Sequence, residues 1–172
     1  IKGYFKLFPN KADAEKKGYA GVAIWSKIEP QKVITSIGLE WADKEGRVVA
    51  MVFDKLVVWS IYFPSGTGGK ARQTLKNEFN AHILSLSQSW VNEDRANIIC
   101  ADVNVAHNEI DIHNPKTKSS GFLPHEREWF GVFLDSGWRD LYREKHPQKQ
   151  EYTWWSYRAP TARPGNKGWR ID

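Results

Sequence analysis

Two polar side chains two residues apart, Asp102 and Asn104, close the apolar run Ile98-Ile99-Cys100-Ala101-Asp102-Val103-Asn104-Val105-Ala106-His107. Residues two apart in a strand share a face, so a strand ending here would present a carboxylate beside a carboxamide. Such a pair suits hydrolysis. The carboxylate can accept a proton from water or help hold a divalent cation, while the amide orients the nucleophile. The competing reading is a turn cap, because Asp and Asn often end strands by accepting local backbone N–H groups. A polar cluster follows at Asn108, Asp111, His113 and Asn114, before Pro115-Lys116. That loop could grip phosphate oxygens or stay solvated. His107 and His113 could ligate metal, although an isolated histidine is more often a hydrogen-bonded structural residue.

Two further segments carry candidate chemistry. Tyr62 ends the run Ile61-Tyr62-Phe63-Pro64-Ser65-Gly66, where a phenol at the rim could stabilise charge developing on phosphorus. A core tyrosine with a satisfied hydroxyl fits the same pattern. Near the end come Tyr152-Thr153-Trp154-Trp155-Ser156-Tyr157-Arg158, then Arg163, Asn166 and Gly168-Trp169-Arg170-Ile171-Asp172. Aromatics interleaved with Arg can pack on sugars and flipped nucleotides while guanidiniums meet phosphates. A Trp-rich core edge is the alternative, and Trp155 is assigned to it.

The elements that must position these residues follow from patterning. Runs rich in Val, Ile and aromatics predict strands over Gly21–Ser26, Arg47–Phe53, Leu56–Phe63 and Asn97–Ala101. Only Asp54-Lys55 separates the second from the third, which predicts a hairpin. Past the turn Ser65–Gly69, Leu75, Phe79, Ile83, Leu86 and Trp90 recur at helical spacing on one face. Lys70, Arg72, Lys76 and Asn77 are expected on the solvated faces of that helix. A second helix is predicted from Pro124, a favoured first-turn residue, with Glu126 and Glu128 near its positive end. Phe130, Phe133 and Leu134 would face the core and Gly137 would close the helix. Ser156–Lys167 reads as a surface loop before a return strand near Trp169. Strands and helices thus mix in the α/β or α+β manner, and the hairpin favours a mixed sheet.

With 172 residues the chain has room for one domain, residues 1–172, with a real core. Its net charge of +5 fits an anionic partner such as nucleic acid. A lone cysteine, Cys100, excludes an intramolecular disulfide and a Cys-based zinc site, and implies a reducing compartment. Its apolar surroundings predict a buried, inert thiol. No apolar stretch approaches the ~20 residues of a membrane span, so no membrane partner is expected.

Taken in order, Gly18–Ala23, Tyr62-Phe63-Pro64, Asp102–His107, Ile110-Asp111, Asn114-Pro115-Lys116, Gly121–Trp129, Tyr152–Trp155 and Gly168–Asp172 resemble the exonuclease III family of apurinic/apyrimidinic endonucleases, and bacterial members most. Each motif is modest by itself; their ordered sum is specific. The resemblance implies a deoxyribonuclease I-like, four-layered α/β (α+β) sandwich, two mixed sheets flanked by helices. It implies metal-assisted cleavage, with Mg²⁺ or Mn²⁺, of the phosphodiester 5′ to abasic sites in double-stranded DNA. Trimming of 3′ ends by 3′-5′ exonuclease and 3′-phosphodiesterase action would use the same chemistry. A cytoplasmic, nucleoid-associated monomer is the form implied.

The resemblance also assigns roles. Asp102 would activate or position the water with Asn104 as its partner, both of them near the metal, and Tyr62 would be the active-site tyrosine. Asp172 would orient a catalytic histidine, Trp154 and Trp169 would wall the deoxyribose pocket, and Tyr19 and Asn114 would lie near the DNA backbone. Ala101 stands where the family has Gly, which is tolerable at negative φ. The family's metal-binding Glu would precede Ile1 and its Ser-Asp-His would follow Asp172, so the chain reads as truncated at both ends and inactive by itself. Two alternatives are kept: a phosphoesterase of the same superfamily, and a catalytically incomplete DNA-binding fragment.

Overall fold

The computed structural model describes residues 8–91 and 94–172, with side chains for all of these except 8–10. The chain divides into two compact units, residues 1–63 with 92–101 and residues 64–91 with 102–172.

In the first unit, β1 (Phe8–Asp13) pairs antiparallel with β2 (Gly21–Ser26). A four-stranded sheet has the order β3 (Lys32–Ile34), β4 (Val48–Val52), β5 (Leu56–Tyr62), β6 (Ala96–Asp102). Val48, Val49, Ala50 and Met51 are all buried, on both faces of β4. An uninterrupted apolar run therefore becomes a central strand, with β3 and β5 antiparallel on either side. Along β5 the burial alternates, with Val57, Trp59 and Ile61 inside. The β4–β5 hairpin turns through Asp54-Lys55 as expected, and Phe53 N–H donates to the Leu56 carbonyl at 2.8 Å. Neither turn residue has positive φ, so this is not a primed turn, which explains how it dispenses with Gly. A short helix, α1 (Glu40–Lys44), sits between β3 and β4 and buries Ala42.

β6 lies at the end of the sheet order, and it corrects one expectation. Residues 96, 98 and 100 share its exposed face, so Cys100 is exposed rather than buried. The apolar run suggested burial on both sides, but a strand covered on one face alternates. Ala101 does not have a positive φ, so its methyl introduces no backbone strain.

The second unit opens with α2 (Lys70–Val91). Phe79, Ile83 and Trp90 are buried as predicted, and Leu75 and Leu86 are half-buried. α3 (Pro124–Asp135) begins at its proline, buries Phe133 and half-buries Phe130 and Leu134. Gly137 ends it with φ +112°, a conformation in which a Cβ would also lie 2.8 Å from Val91. Phe133 stacks on Trp138 at 5.5 Å between ring centroids, and Trp129 Nε1 donates to the Asn80 carbonyl of α2 at 2.8 Å. Between the long helices lies a 3₁₀ turn (Glu109–Asp111), and after α3 come α4 (Leu141–Lys145), β7 (Trp154–Trp155) and β8 (Gly168–Trp169). β7 and β8 pair antiparallel across an exposed loop. Among the described residues no helix is long and apolar enough to cross a membrane.

Candidate active site

β6 ends at Asp102, and the backbone then turns sharply. Asn104 has φ +55°, a left-handed conformation that Asn tolerates better than most residues. Its N–H donates to Asp102 Oδ1 at 2.9 Å. The turn-cap reading is therefore correct as geometry. The strand alternation expected to bring Asp102 and Asn104 to one side does not extend to 104; the turn itself juxtaposes the two residues.

Backbone bonds tie this turn to the last residues of the chain. Val103 N–H donates to the Ile171 carbonyl at 2.7 Å. The Ile171 and Asp172 N–H groups both donate to Thr153 Oγ1, at 3.1 and 3.2 Å, and Thr153 N–H donates to the Trp169 carbonyl at 2.9 Å. Trp169 packs on a cluster of Ala106, Ile112, Phe122 and Ile171. Directly paired with it, Trp154 stands nearly perpendicular at 6.5 Å and is 37% exposed. Asp172 is exposed. One unit thus connects Asp102, Asn104, Asp172, Trp154 and Trp169. Gly121 fits between them, with φ +97° and a virtual Cβ only 3.0 Å from both the Asn104 carbonyl and the Trp169 ring.

Under the turn lies a residue whose placement overturns its reading as solvated. Lys76 of α2 is fully buried. Its Nζ donates to the Asn104 carbonyl at 2.9 Å, to Glu126 Oε1 at 2.7 Å and to Ser120 Oγ at 3.4 Å. Helical phase carries the reason: positions 76, 79, 80, 83, 87 and 90 form the buried stripe of α2. Glu126, expected only to complement the helix end, is the hub. It accepts from Gly121 N–H at 2.6 Å, Leu123 N–H at 3.0 Å, Gln73 Nε2 at 3.0 Å and Ser120 Oγ at 2.9 Å. Burial pushes its carboxyl upward, but Lys76 and these donors outweigh that and hold it below the ordinary carboxylate value. Burial also lowers the Lys76 pKa, against the pull of Glu126.

A second polar cluster corrects the reading of Arg170 as a phosphate ligand. Its Nε donates to Asp111 Oδ1 at 2.8 Å and its Nη2 to Asp140 Oδ2 at 2.7 Å, leaving its side chain 10% exposed. Arg143 also donates to Asp111, and Asp140 caps α4 by accepting the Arg143 N–H at 2.9 Å. Asp111 is therefore structural, not a loop residue reaching outward. Asp140 and Arg143 escaped the sequence reading because no local spacing links 111, 140, 143 and 170. His107 is half-buried against Phe130 at 5.0 Å, and burial holds its pKa below the usual imidazole value. Asn114 is exposed and accepts the Lys116 N–H at 3.2 Å.

The two remaining candidates belong to the first unit. Tyr62 ends β5 and is half-buried; its ring lies 4.9 Å from the guanidinium of buried Arg47. Arg47 Nη1 donates to the Tyr62 carbonyl at 2.9 Å, and the Tyr62 N–H returns a bond to the Arg47 carbonyl at 2.9 Å. Tyr19 is exposed with Lys16 Nζ 5.6 Å from its ring centroid.

As a donor set, Asp102 and Asn104 offer carboxylate and carboxamide oxygens. Among the described residues no three His, Cys, Asp or Glu side chains gather into a metal cage. Mg²⁺ commonly takes one or two carboxylates and fills its shell with water and phosphate oxygens, so these two residues fit part of such a shell.

The sequence pattern of the endonuclease/exonuclease/phosphatase family matches residues 2–172, essentially the whole chain. This chain belongs to that family. Within it, the chain is 43% identical over 162 residues to an exodeoxyribonuclease of Bacillus subtilis, covering 92% of this chain and 64% of the relative. It is 39% identical over 175 residues to the DNA repair nuclease APEX1 of Danio rerio, covering 96% and 54%. A solved 3′ phosphatase from Neisseria, bound to a product DNA hairpin, superposes with a TM-score of 0.85 at 26% identity, over 95% of this chain and 65% of that one. The chain thus spans between about half and two thirds of the length of these relatives. The α/β, deoxyribonuclease I-like fold class expected from the sequence is the one found.

Proposed function

We propose that this chain is the greater part of a DNA repair nuclease that hydrolyses the phosphodiester 5′ to abasic sites in double-stranded DNA, and trims 3′ ends by the same chemistry. One observation carries the reading. The Val103–Ile171 hydrogen bond joins the Asp102-x-Asn104 turn to Asp172 and to the indole edge at Trp154 and Trp169. A carboxylate, a carboxamide and an adjoining aromatic edge suit hydrolysis beside a base-free deoxyribose. The relatives named as an exodeoxyribonuclease and a DNA repair nuclease support the same substrate class.

Asp102 takes the proton of the attacking water, and Asn104 hydrogen-bonds that water to fix its line of attack. The family resemblance would give the Tyr62 hydroxyl the part of donor to a phosphoryl oxygen as charge builds there. Asp172 fixes the ring of a histidine supplied from elsewhere in the protein. Trp154 and Trp169 exclude water from the deoxyribose, while Tyr19 and Asn114 contact the DNA backbone. Asp102 and Asn104 would be among the residues that hold Mg²⁺ or Mn²⁺, which when bound would supply Lewis-acid polarisation of the phosphate. The protein works as a monomer in the cytoplasm, in contact with the nucleoid.

The test is nicking of a duplex with one abasic site by the complete protein, beside a nicked duplex ending in a 3′-phosphate. Asp102→Asn is expected to cut turnover about 10²–10⁴-fold, the span of a general base. Undiminished nicking by that variant would remove Asp102 from the chemistry. Removal of the 3′-phosphate alone would reassign the protein to 3′ phosphatase action, the activity named for the Neisseria structure.

A further inference from the structure

Lys76 has no assigned part in hydrolysis, and its surroundings connect it to the turn that does. We propose that Lys76 is a positioning residue, whose buried ammonium holds the Asn104 peptide in its left-handed conformation and so aims Asp102 and Asn104 at the phosphate. The inference rests on the nuclease reading of that turn for its consequence, though not for its geometry.

Both ends of residue 104 are gripped. Its N–H is held by Asp102 Oδ1 and its carbonyl by Lys76 Nζ, at 2.9 Å each. Left-handed backbone is unfavourable for a residue with a Cβ, so it persists where neighbours over-determine it. Glu126 supplies that constraint twice. One carboxylate oxygen anchors the ammonium, while the other accepts the Gly121 N–H at 2.6 Å. Gly121 in turn offers its carbonyl to Ala106 N–H at 2.8 Å. The stretch 104–106 is therefore anchored at two points to a single buried carboxylate.

A purely structural pair could be replaced by apolar packing, often with no loss of stability. Three acceptors in three directions need a group with three donors and no acceptor, and an ammonium is that group. The negative charge of Asp102 also favours the ammonium from nearby. A cation under the turn thus serves geometry and field together.

The experiment uses the complete protein with Lys76→Met and Glu126→Gln combined, which leaves no orphaned carboxylate. Carbon-13 NMR reads the Asn104 carbonyl, and steady-state kinetics on the abasic duplex reads kcat and KM separately. We expect the Asn104 carbonyl resonance to move, and kcat to fall about a hundredfold, the cost of a misplacement near 1 Å. KM should stay within about twofold, since the remote DNA contacts are untouched. An unmoved resonance with unchanged kcat overturns the proposal, as does a changed melting temperature with full kcat per folded molecule. Reductive methylation of the unaltered protein needs no variant to fold. Lys76 should resist it while exposed lysines react, and labelling at the exposed rate overturns the proposal. If the unaltered protein cleaves no DNA, the nuclease reading fails, and the carbonyl shift still decides whether Lys76 holds residue 104.

Discussion

The second unit buries two ionic clusters of opposite design. Under Asn104, one cation meets one anion, both side chains are wholly shielded, and neutral N–H and O–H donors complete the carboxylate. Behind β8, two carboxylates and two guanidiniums form an open run of ion pairs, Arg143–Asp111–Arg170–Asp140, whose arginines keep 10–15% of their side-chain surface in solvent. The first cluster touches the turn that carries the candidate chemistry. The second staples the 3₁₀ turn, the start of α4 and the strand end. Redundancy is the difference: Arg170 has two acidic partners, whereas Lys76 has one.

The sharpest way to break the comparison is Glu126→Ala. It strands a buried ammonium and several N–H groups, and should destabilise by about 3–5 kcal/mol in urea denaturation. Acidification attacks both clusters at once. For Asp111, burial raises the pKa, but hydrogen bonds from Arg170, the Asn108 N–H and Arg143 bring it below the ordinary value, as the donors do for Glu126. A depressed folded pKa gives stability that is present above the unfolded value, near ~4, and lost as pH falls through the folded value. Melting temperature should therefore hold from neutral pH to about 5 and decline below ~4. A flat profile down to strong acid would show that neither carboxylate is ionised in the fold. Asp140→Ala should cost less than Glu126→Ala, about 1–3 kcal/mol, because Arg170 retains Asp111. Smallest of all, Arg139→Ala removes an exposed pair with Glu144 and should leave the melting temperature unchanged.

Much of this architecture is legible from patterning. β2 spans the predicted Gly21–Ser26, β4 and β5 differ by a residue at their ends, and α3 begins at Pro124. β3, α1 and α4 went unread because three to five residues hold too little of any period. Asp102 and Asn104 stood out because polar types punctuate an apolar run. Lys76 did not, since its type argues for solvent while its phase argues for the core, and only a partner 50 residues away decides between them. Arg170 misled in the opposite sense: among aromatics it resembled a phosphate ligand, yet two distant carboxylates claim it. The Cys100 thiol was misjudged because an unbroken apolar run does not reveal which face the sheet leaves open.

That open face has a practical corollary. Cys100 is the sole cysteine of the chain, exposed, and two residues upstream of Asp102. A maleimide fluorophore would therefore attach at one defined position without any engineering of the sequence. On the proposed nuclease reading, its emission is expected to change when an oligonucleotide is added, turning an unremarkable sulfur into a spectroscopic probe.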